Sequence, residues 1–483
     1  MDTKVVYGPP GCGKSTRIVS EVRERVNQGV DENDILLLSF TRSAASVLAH
    51  RAGLPRGRAA TLHSCCFRLL GLTRDQVVDA AKLRQFSKVS RVEVTQAGPY
   101  DEEQQGKGDR YLAAVKYSRA SGCDPERAFH LTGCDGYLAE FLWFWEHYEK
   151  WKAANGYVDF DDMVEDALGT KLDASVLFLD EAQDFSKAQW DLLYSWFDHA
   201  DTVVVAGDDD QAVHEWAGAV PEGMHQFEKN TGAERVVLDQ SYRLPVKVLE
   251  NARRFAEEKI PDRVHKEFYP VDAGGRLDRH SNFNSVGVPD AEEDCLVLFR
   301  NHTVREDVER WLQDRCVPYL TESGARGPLQ DRLAHAVRAF RKAQENYEKI
   351  GVVGLDDRQV DLLHKSCLPQ FRRLAKDQNQ LVSLLGYEWH QVLAFPKNRL
   401  RFHRRLASKF GTPVPESRVR LLTVHASKGQ EADRVVLVNS LSTRTSQTAS
   451  KNPAAEARVW YVGMTRARHE LDVVMGENSF GGV

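Results

Sequence analysis

An α/β fold with parallel strands is predicted by three places where an apolar run leads into chemically active residues. Residues 4–7 precede a glycine-rich loop, and helical periodicity follows that loop. The continuous apolar run at 176–179 is typical of a central parallel strand, and a third apolar run occupies 202–206. Ligands of such sheets bind beyond the carboxyl ends of the strands, so the residues after each run are candidate site residues.

Length and composition predict a multidomain globular protein. A chain of 483 residues exceeds what one hydrophobic core supports, so two to four domains are expected. Without an apolar run of about 18 residues or an apolar leader, we expect no membrane span and a cytoplasmic protein, or one in the host cytoplasm if phage-encoded. The eight cysteines lack metal-site spacing and are expected to be reduced thiols. The net charge of −5 excludes a basic coat but permits a local basic groove.

The glycine-rich loop fits the phosphate-binding pattern G-x-x-x-x-G-K-[ST] without exception. Its residues are Gly8, Pro9, Pro10, Gly11, Cys12, Gly13, Lys14, Ser15 and Thr16. Glycines let backbone N–H groups point at phosphate oxygens, and the following helix turns its positive end toward the same anion. Lys14 is expected to reach the outer phosphates, and Ser15 to place its hydroxyl on Mg²⁺. A turn without a ligand would not require the lysine, the hydroxyl and the helix together.

Two acidic residues, Asp180 and Glu181, follow the second apolar run. Phosphoryl transfer needs one group that holds Mg²⁺ and another that orients and deprotonates the attacking water, and we assign these roles to Asp180 and Glu181 respectively. The third run leads to Gln211, which could sense the terminal phosphate. A solvated acidic turn is the alternative for the pair, and Trp216 further on could face DNA or pack in a core.

The order of motifs along nearly the whole chain resembles that of UvrD/Rep-type superfamily 1 helicases. The similar segments are GPPGCGKST at 8–16 (motif I), SFTRSAA at 39–45 (Ia), TLHS at 61–64 (Ib), VDFDD at 158–162, DEAQD at 180–184 (II), GDDDQAVHEWAGA at 207–219 (III), LDQSYR at 238–243 (IV), LFR at 298–300, TVHASKGQE at 423–431 (V) and YVGMTRAR at 461–468 (VI). One such motif is only moderately specific, whereas eight or more in this order are highly specific.

The resemblance implies two RecA-like P-loop domains with parallel sheets, each interrupted by a mainly helical insertion, and ATP with Mg²⁺ in the cleft between them. It implies that Tyr242 stacks on adenine and that Gly429 and Glu431 lie near the nucleotide. Arg243 and Arg466 would reach across the cleft to the γ-phosphate, where guanidinium groups stabilise transition-state charge. A surface salt bridge is the alternative for each arginine taken alone. The catalytic set is thus Lys14, Asp180, Glu181, Gln211, Arg243 and Arg466.

The resemblance also divides the chain into segments. We expect a first motor domain at 1–70 and 151–240 with a helical insertion at 71–150, and a second motor domain at 241–320 and 415–483 with a helical insertion at 321–414. In the first insertion, aromatic residues between 141 and 151 recur at helical spacing, which favours core packing over base stacking. Residues 96–109 and the Ser/Thr-rich segment 441–455 are predicted to be loops.

Single-stranded nucleic acid is held by aromatic faces and phosphate contacts, so we expect binding without strong base preference. The candidates that match family motifs are Phe40, Thr41, Arg42, His63, Trp216 and His425. An arginine cluster at 399–405 is either a solvated helix face or a contact to the DNA backbone. The family's motif III usually has an aromatic and basic residues where this chain has His214, Glu215 and Ala217. No glutamine segment precedes the P-loop strand here, so adenine recognition is expected to depend on Tyr242.

We therefore expect a monomeric ATP-dependent DNA helicase or translocase that moves 3′ to 5′ on single-stranded DNA and acts on tailed duplexes. A DNA-stimulated ATPase switch, or a partner subunit with little unwinding of its own, is the alternative from a different class. A P-loop kinase is a further alternative, against which Arg243 and Arg466 argue. Repair, replication and defence are all compatible pathways, each with its own protein partners.

Overall fold

The computed structural model describes residues 1–95, 105–271, 274–322, 326–327, 331–394, 397–411, 417–476 and 478–483. The strands are β1 (Asp2–Tyr7), β2 (Ile35–Ser39), β3 (Ala59–Ala60), β4 (Val176–Asp180), β5 (Thr202–Gly207), β6 (Glu234–Val237), β7 (Arg276–His280), β8 (Cys295–Phe299), β9 (Tyr319–Thr321), β10 (Arg326–Gly327), β11 (Val419–Thr423), β12 (Ala432–Asn439) and β13 (Ala467–Met475). The helices are α1 (Lys14–Asn27), α2 (Arg42–Ala52), α3 (Leu62–Leu69), α4 (Ala80–Ser90), α5 (Lys107–Ser121), α6 (Pro125–Leu131), α7 (Leu138–Asn155), α8 (Phe160–Asp166), α9 (Lys187–Phe197), α10 (Gly223–Thr231), α11 (Val246–Lys259), α12 (His302–Asp314), α13 (Asp331–Ile350), α14 (Asp357–Ser366), α15 (Gln378–Leu381), α16 (Trp389–Val392), α17 (Lys397–Phe410), α18 (Thr443–Lys451) and α19 (Pro453–Met464).

The first lobe is built on a parallel sheet in the order β3-β2-β4-β5-β1-β6. Its central strands β4 and β5 are buried along their whole length, which is why they appear in the sequence as continuous apolar runs. Tyr7 pairs with Gly207 and Ser39 pairs with Asp180, so neighbouring strands end at one edge of the sheet. The segments that follow β1, β4 and β5 consequently emerge side by side.

The second lobe is built on a sheet in the order β10-β9-β11-β8-β12-β13-β7. Its strand pairs are parallel except for the short antiparallel pair of β9 and β10. Helices α11 and α19 pack on one face of this sheet through a core that includes Phe255 and Trp460. Two sheets of parallel strands with flanking helices confirm the predicted α/β fold class.

The first helical insertion packs as a small aromatic core. Phe86, Phe141, Phe144 and Tyr148 are all at most 1% exposed and contact one another. The predicted packing role of the aromatic face is therefore confirmed. Helix α7 continues to Asn155, so a segment boundary at residue 150 falls inside a helix.

The second insertion contains α13 to α17, of which α13 to α16 have a core of their own around Phe340 and Trp389. Phe402 and Leu406 of α17 pack into the core of the second lobe. The predicted arginine cluster lies on α17. Arg405 in this cluster donates a hydrogen bond of 2.6 Å to the Asp314 carbonyl at the end of α12. At least this member is bound to the second lobe.

Two loop predictions are wrong where the structure describes them. Most of the segment 441–455 is helical, because α18 begins after Ser442, whose hydroxyl accepts a hydrogen bond from the Thr445 amide. Thr445 is buried and accepts a hydrogen bond of 2.8 Å from the Asn301 side chain, so its polarity is satisfied inside the protein. Of the predicted loop 96–109, residues 96–104 lie outside the described residues, and 107–109 form the first turn of α5.

None of the helices in the described part of the chain combines the length and apolar character that crossing a bilayer requires.

Candidate nucleotide and DNA sites

The glycine-rich loop connects β1 to α1 in the first lobe. Gly11 and Gly13 have φ angles of 76° and 78°, in the left-handed region that glycine adopts at little cost. Lys14 is the first residue of α1, and its ammonium group donates a hydrogen bond of 2.6 Å to the Gly8 carbonyl. The lysine thus folds over the loop at the point where phosphates would bind.

Residues 241–243 lie against this loop. The Ser241 hydroxyl donates to the Pro10 carbonyl at 2.9 Å, and the Tyr242 amide donates to the Gly11 carbonyl at 2.9 Å. A side chain at Gly11 would come within 2.5 Å of Arg243 Cβ, so this glycine permits the close approach. Tyr242 is 74% exposed beside the loop, with its ring open to stack on a base.

The other loop residues have distinct environments. Ser15 is half-buried, whereas Thr16 is exposed and its hydroxyl accepts a hydrogen bond of 2.9 Å from Arg51. Cys12 is buried, and burial raises the pKa of its thiol to about 12, so it is protonated at neutral pH. Pro9 is buried, and its carbonyl accepts a hydrogen bond of 3.1 Å from the Cys12 amide.

Asp180 and Glu181 end β4 at the same sheet edge. Asp180 is 2% exposed, and its Oδ1 has no hydrogen-bond partner among the described residues. Burial, followed by the neighbouring Glu181, raises the pKa of Asp180. Glu181 has a φ of 56°, a strained value for a residue with a side chain. Burial opposes its ionisation, but Lys428 and Lys14 hold its pKa at about 2, so it is a carboxylate at neutral pH.

Gln211 and Arg466 form a hydrogen bond between the two lobes. Arg466 follows α19 in the second lobe, is 2% exposed, and donates a hydrogen bond of 2.8 Å from Nη2 to Gln211 Oε1 in the first lobe. The Gln211 amide nitrogen donates in turn to Asp208 at 2.7 Å. Burial and then the positive charge of Arg243 lower the pKa of Arg466 to about 9, so the guanidinium remains charged at neutral pH.

Arg243 and Glu431 form an ion pair with an Nε–Oε2 distance of 2.5 Å. Arg243 also donates to the Thr465 carbonyl at 3.3 Å, next to Arg466. Gly429 lies two residues before Glu431 and has a φ of 78°. The residues of motifs IV, V and VI that the sequence singled out therefore lie next to one another and beside the P-loop.

Lys428 was not singled out from the sequence, although it belongs to a quoted motif. Its ammonium group forms a close ion pair with Asp184, lies 3.6 Å from Glu181 Oε2, and donates to the Gln211 carbonyl at 3.0 Å. Burial raises the pKa of Asp184 to about 6, against the opposing effect of Lys428. This lysine is a second cross-lobe contact on the acidic motif, and its position in motif V was the available signal.

Lys266 and Arg263 were also missed. Lys266 is completely buried and pairs with three consecutive carboxylates, at 2.7 Å from Asp208, 2.9 Å from Asp210 and in close contact with Asp209. Arg263 pairs with Asp210 through two nitrogens. Three adjacent aspartates would by themselves suggest a metal site. Here the positive charge beside them is supplied by Lys266 and Arg263. No local pattern in the sequence links residues 263–266 to β5.

A cavity of about 610 Å³ opens between the first lobe and the first insertion. Its lining includes Phe40, Arg42, His63, Phe160, His214 and Trp216. Four of these were predicted to contact DNA, and the cavity brings them together. Phe160 is 47% exposed and was missed, although the VDFDD segment that contains it was recognised. Trp216 is 45% exposed, which excludes the alternative of a buried core position.

The aromatic groups of the cavity wall support one another. Phe40 stacks on His214 with ring centroids 4.7 Å apart, and His214 meets Trp216 edge to face at 6.2 Å. Phe160 and His63, which line the same cavity, meet edge to face with ring centroids 5.1 Å apart. Burial lowers the pKa of His63 to about 4 and that of His214 to about 3, so both rings are neutral stacking surfaces at pH 7.

Two predicted DNA contacts lie outside the cavity lining. Thr41 is exposed at the start of α2, where its hydroxyl accepts a hydrogen bond of 3.2 Å from the Ala44 amide. His425 is only 7% exposed, and burial lowers its pKa well below the ordinary value. Thr41 lies in the chain between Phe40 and Arg42 of the cavity lining, and His425 is close enough to His214 for the two rings to interact electrostatically.

Family models match both lobes. The model for the UvrD/REP helicase N-terminal domain matches residues 2–232, and the model for the UvrD-like helicase C-terminal domain matches residues 405–478.

Individual relatives are similar at low identity over most of the chain. A putative ATP-dependent DNA helicase, YjcD of Bacillus subtilis (strain 168), is 20% identical over 97% of this chain and 76% of the relative. ATP-dependent DNA helicase UvrD2 of Mycobacterium tuberculosis is 24% identical over 96% of this chain and 75% of the relative. DNA helicase II of Haemophilus influenzae is 23% identical over 75% of this chain but only 56% of the relative. With the cross-lobe cleft described above, these matches establish that the chain belongs to the UvrD/Rep family of ATP-dependent DNA helicases.

Proposed function

We propose that this protein is a motor that couples ATP hydrolysis in the cleft between its lobes to 3′-to-5′ movement along single-stranded DNA, and thereby unwinds tailed duplexes. The observation that carries the proposal is the contact between Gln211 of the first lobe and Arg466 of the second at 2.8 Å. This contact joins Gln211, which follows β5 in the sheet that carries the P-loop, to an arginine of the other lobe. A site that closes on ATP requires such a contact between the lobes.

In this proposal the two lobes have complementary roles in hydrolysis. Lys14 binds the outer phosphates, and the Glu181 carboxylate, which is ionised at neutral pH, orients and deprotonates the attacking water. Arg243 and Arg466 stabilise the charge that develops on the transferred phosphoryl group. Tyr242 stacks on the base, and Gly429 and Glu431 border the same cleft.

The residues at the end of β4 suit a divalent cation. Asp180 has a buried carboxylate oxygen without a hydrogen-bond partner in the described structure, and Ser15 supplies a hydroxyl from the P-loop. Hard oxygen ligands of this kind are those that Mg²⁺ prefers. When bound there, Mg²⁺ would neutralise phosphate charge.

The aromatic cavity is the proposed grip on DNA. Single strands bind by stacking on aromatic rings, and Phe40, Phe160 and Trp216 present such rings within one cavity. Arg42 lines the same cavity and offers a charge to the backbone. We propose that Thr41 and His63 extend this surface, and that His425 joins it from the second lobe when the strand binds.

The proposed domain division assigns motor segments 1–70 and 151–240 to one lobe, and 241–320 and 415–483 to the other. It separates the two sheets, except that β10 and the end of β9 fall within the second insertion. We also propose that a single chain is sufficient for the activity. Repair and replication are pathways in which such a motor would act, with partners recruited through the insertions.

The test measures ATP turnover with and without single-stranded DNA, and then unwinding of duplexes with 3′ or 5′ tails. The proposal predicts turnover that rises with DNA and unwinding that needs a 3′ tail. DNA-stimulated turnover without unwinding of either substrate would instead support the alternative, a DNA-stimulated ATPase switch. Turnover that is indifferent to DNA would contradict both.

Two variants test the catalytic assignment. Lys14→Ala and Glu181→Gln are expected to lower turnover by on the order of a hundredfold or more while single-stranded DNA binding persists, because each removes a group needed only at the phosphates. Glu222→Gln is the matched control for Glu181→Gln, since it removes one exposed carboxylate outside the cleft. Unchanged turnover in either catalytic variant would overturn the assignment.

A further inference from the structure

Glu215 lies beside Trp216 in the segment that resembles helicase motif III, and the structure gives it a cross-lobe contact. It begins the short 3-10 turn that contains Trp216. Its carboxylate accepts a hydrogen bond of 2.8 Å from Arg458 Nη1 and one of 3.3 Å from the Asn452 side chain. Both partners belong to α19 or its cap in the second lobe, so the turn that presents Trp216 is directly attached to the other lobe.

The same helix leads to Arg466. Asn452 caps the start of α19, where its Oδ1 accepts a hydrogen bond of 3.1 Å from the Ala455 amide. Arg458 lies one turn further, and Arg466 follows two residues after the helix ends at Met464. Every residue of α19 from Glu456 to Met464 is buried, which makes the helix a rigid connection.

First-lobe residues 209–215 contact α19 at three points. Arg458 Nε donates to the Asp209 carbonyl at 3.0 Å, Arg466 donates to Gln211, and Glu215 binds Arg458 from the other side. Arg458 is therefore held between a backbone carbonyl near the nucleotide site and a carboxylate near the DNA cavity. A displacement of the Trp216 turn would reach Arg466 through this helix.

We propose that Glu215 is a positioning residue that transmits DNA occupancy at Trp216 to the catalytic Arg466 through Arg458 and α19. A base that stacks on Trp216 fixes the turn, Glu215 then fixes the N-terminal half of α19, and Arg466 is held against Gln211. The inference rests on the proposed function and goes beyond it, because it assigns the coupling of DNA binding to ATP turnover to one carboxylate.

The experiment compares Glu215→Gln with Glu348→Gln, which removes an exposed carboxylate on α13 in the second insertion. For each protein we would measure turnover without DNA, maximal turnover with saturating single-stranded DNA, and the DNA concentration that gives half of the stimulation. Glu215→Gln is expected to lower the maximal stimulation by about three- to tenfold, which lies within the range for one residue in a coupling network. Its turnover without DNA and its half-saturating DNA concentration should match those of Glu348→Gln.

Asn452→Asp provides a second test at an exposed position. It keeps the oxygen that caps α19 but replaces the amide that faces Glu215 by a repelling carboxylate, so stimulation should fall in the same way. The double variant E215Q/N452D is expected to lose no more stimulation than Glu215→Gln alone, because both changes act on one contact. If Glu215→Gln does not fold, Asn452→Asp alone still tests the contact.

Each remaining outcome overturns the inference. Wild-type stimulation in both Glu215→Gln and Asn452→Asp would show that the contact does not couple the sites. A higher half-saturating DNA concentration with unchanged maximal turnover would instead show that Glu215 contributes to DNA binding. Losses in the double variant that multiply would assign the two residues to separate pathways. Failure of DNA to stimulate the unmodified chain would overturn the proposed function and this inference together.

Discussion

Arg466 Nη2 and Gln211 Oε1 are joined by a hydrogen bond of 2.8 Å that crosses from the second lobe to the first. Both side chains are buried, and each also bonds within its own lobe, where Arg466 Nε donates to the Val462 carbonyl at 2.9 Å and Gln211 Nε2 donates to Asp208 at 2.7 Å. The contact means that the arginine is in place only when the lobes are together. It therefore provides a physical link between closure of the cleft and the chemistry expected there.

Replacement of Arg466 by lysine should separate charge from geometry. Lysine keeps the positive charge but lacks the planar fork that can bind Gln211 and a phosphate oxygen together. We expect Arg466→Lys to lower the maximal ATP turnover by on the order of a hundredfold with little change in DNA binding. Arg418→Ala, at a residue whose side chain is 61% exposed, is the control and should retain turnover. Near-normal turnover of Arg466→Lys would contradict a role in catalysis.

Removal of the aromatic rings should weaken the grip on DNA. Trp216→Ala and Phe160→Ala are each expected to cost about 1–3 kcal/mol of single-stranded DNA affinity, the usual range for a base-stacking ring. Trp143→Ala is the matched control, because Trp143 is 40% exposed on α7 but does not line the cavity. The affinities would be measured by fluorescence anisotropy with a labelled oligonucleotide. Equal affinities of all three variants would show that the cavity does not hold bases.

The parts of the site that could be predicted are those that local sequence determines. The loop around Lys14 and the buried run before Asp180 have a fixed spacing and a fixed hydrophobic pattern, so their structures follow from a short segment. The parallel sheet then brings their ends together without further information. The arginines Arg243 and Arg466 could be assigned only through the resemblance, because their positions depend on how two lobes pack.

What could not be predicted depends on contacts between distant segments. Lys266 reaches Asp208 across 58 residues of sequence, and a lone lysine in a polar segment gives no sign of complete burial. The segment 441–455 has the composition of a loop, yet Thr445 is satisfied by Asn301 of another element and the helix forms. Tertiary hydrogen bonds thus overrode local composition in both cases.

Acidification should destabilise the first lobe through His63. Burial lowers its pKa in the folded protein to about 4, against an ordinary value of 6.5, so the unfolded chain binds a proton more readily. Stability conferred by the neutral ring is present above pH 6.5 and is lost as the pH falls toward 4. With about 1.4 kcal/mol for each tenfold difference in proton affinity, the upper bound is about 3.5 kcal/mol.

Denaturant unfolding at several pH values would measure this effect, with His63→Gln as the variant. The variant should show a smaller loss of stability between pH 6.5 and 4 than the unmodified protein. His265→Gln, at an exposed residue whose side chain is 74% exposed, is the control and should leave the pH profile unchanged. Identical profiles for His63→Gln and the unmodified protein would contradict the neutral, buried state of His63.

Substitution of Lys266 by methionine should have the largest effect on stability. The ammonium group is completely buried and pairs with Asp208, Asp209 and Asp210. Without it, Arg263 would still pair with Asp210, but Asp208 and Asp209 would be left as adjacent buried carboxylates. Removal of one partner from a buried charge cluster typically costs about 3–5 kcal/mol, because the remaining charges lose their compensation. Lys266→Met should therefore lower the melting temperature well beyond the control Lys187→Met, which breaks an exposed pair with Asp191.

The same substitution should also alter the pH dependence of stability. Without the lysine, Arg263 still compensates Asp210, but the charge of buried Asp209 is no longer opposed by Lys266. The variant should therefore regain stability relative to the unmodified protein as the pH is lowered and Asp209 binds a proton. Thermal melting of both lysine variants between pH 5 and pH 8 would test this. A difference between Lys266→Met and the unmodified protein that stays constant over that range would show that the carboxylates do not depend on Lys266 for their charge.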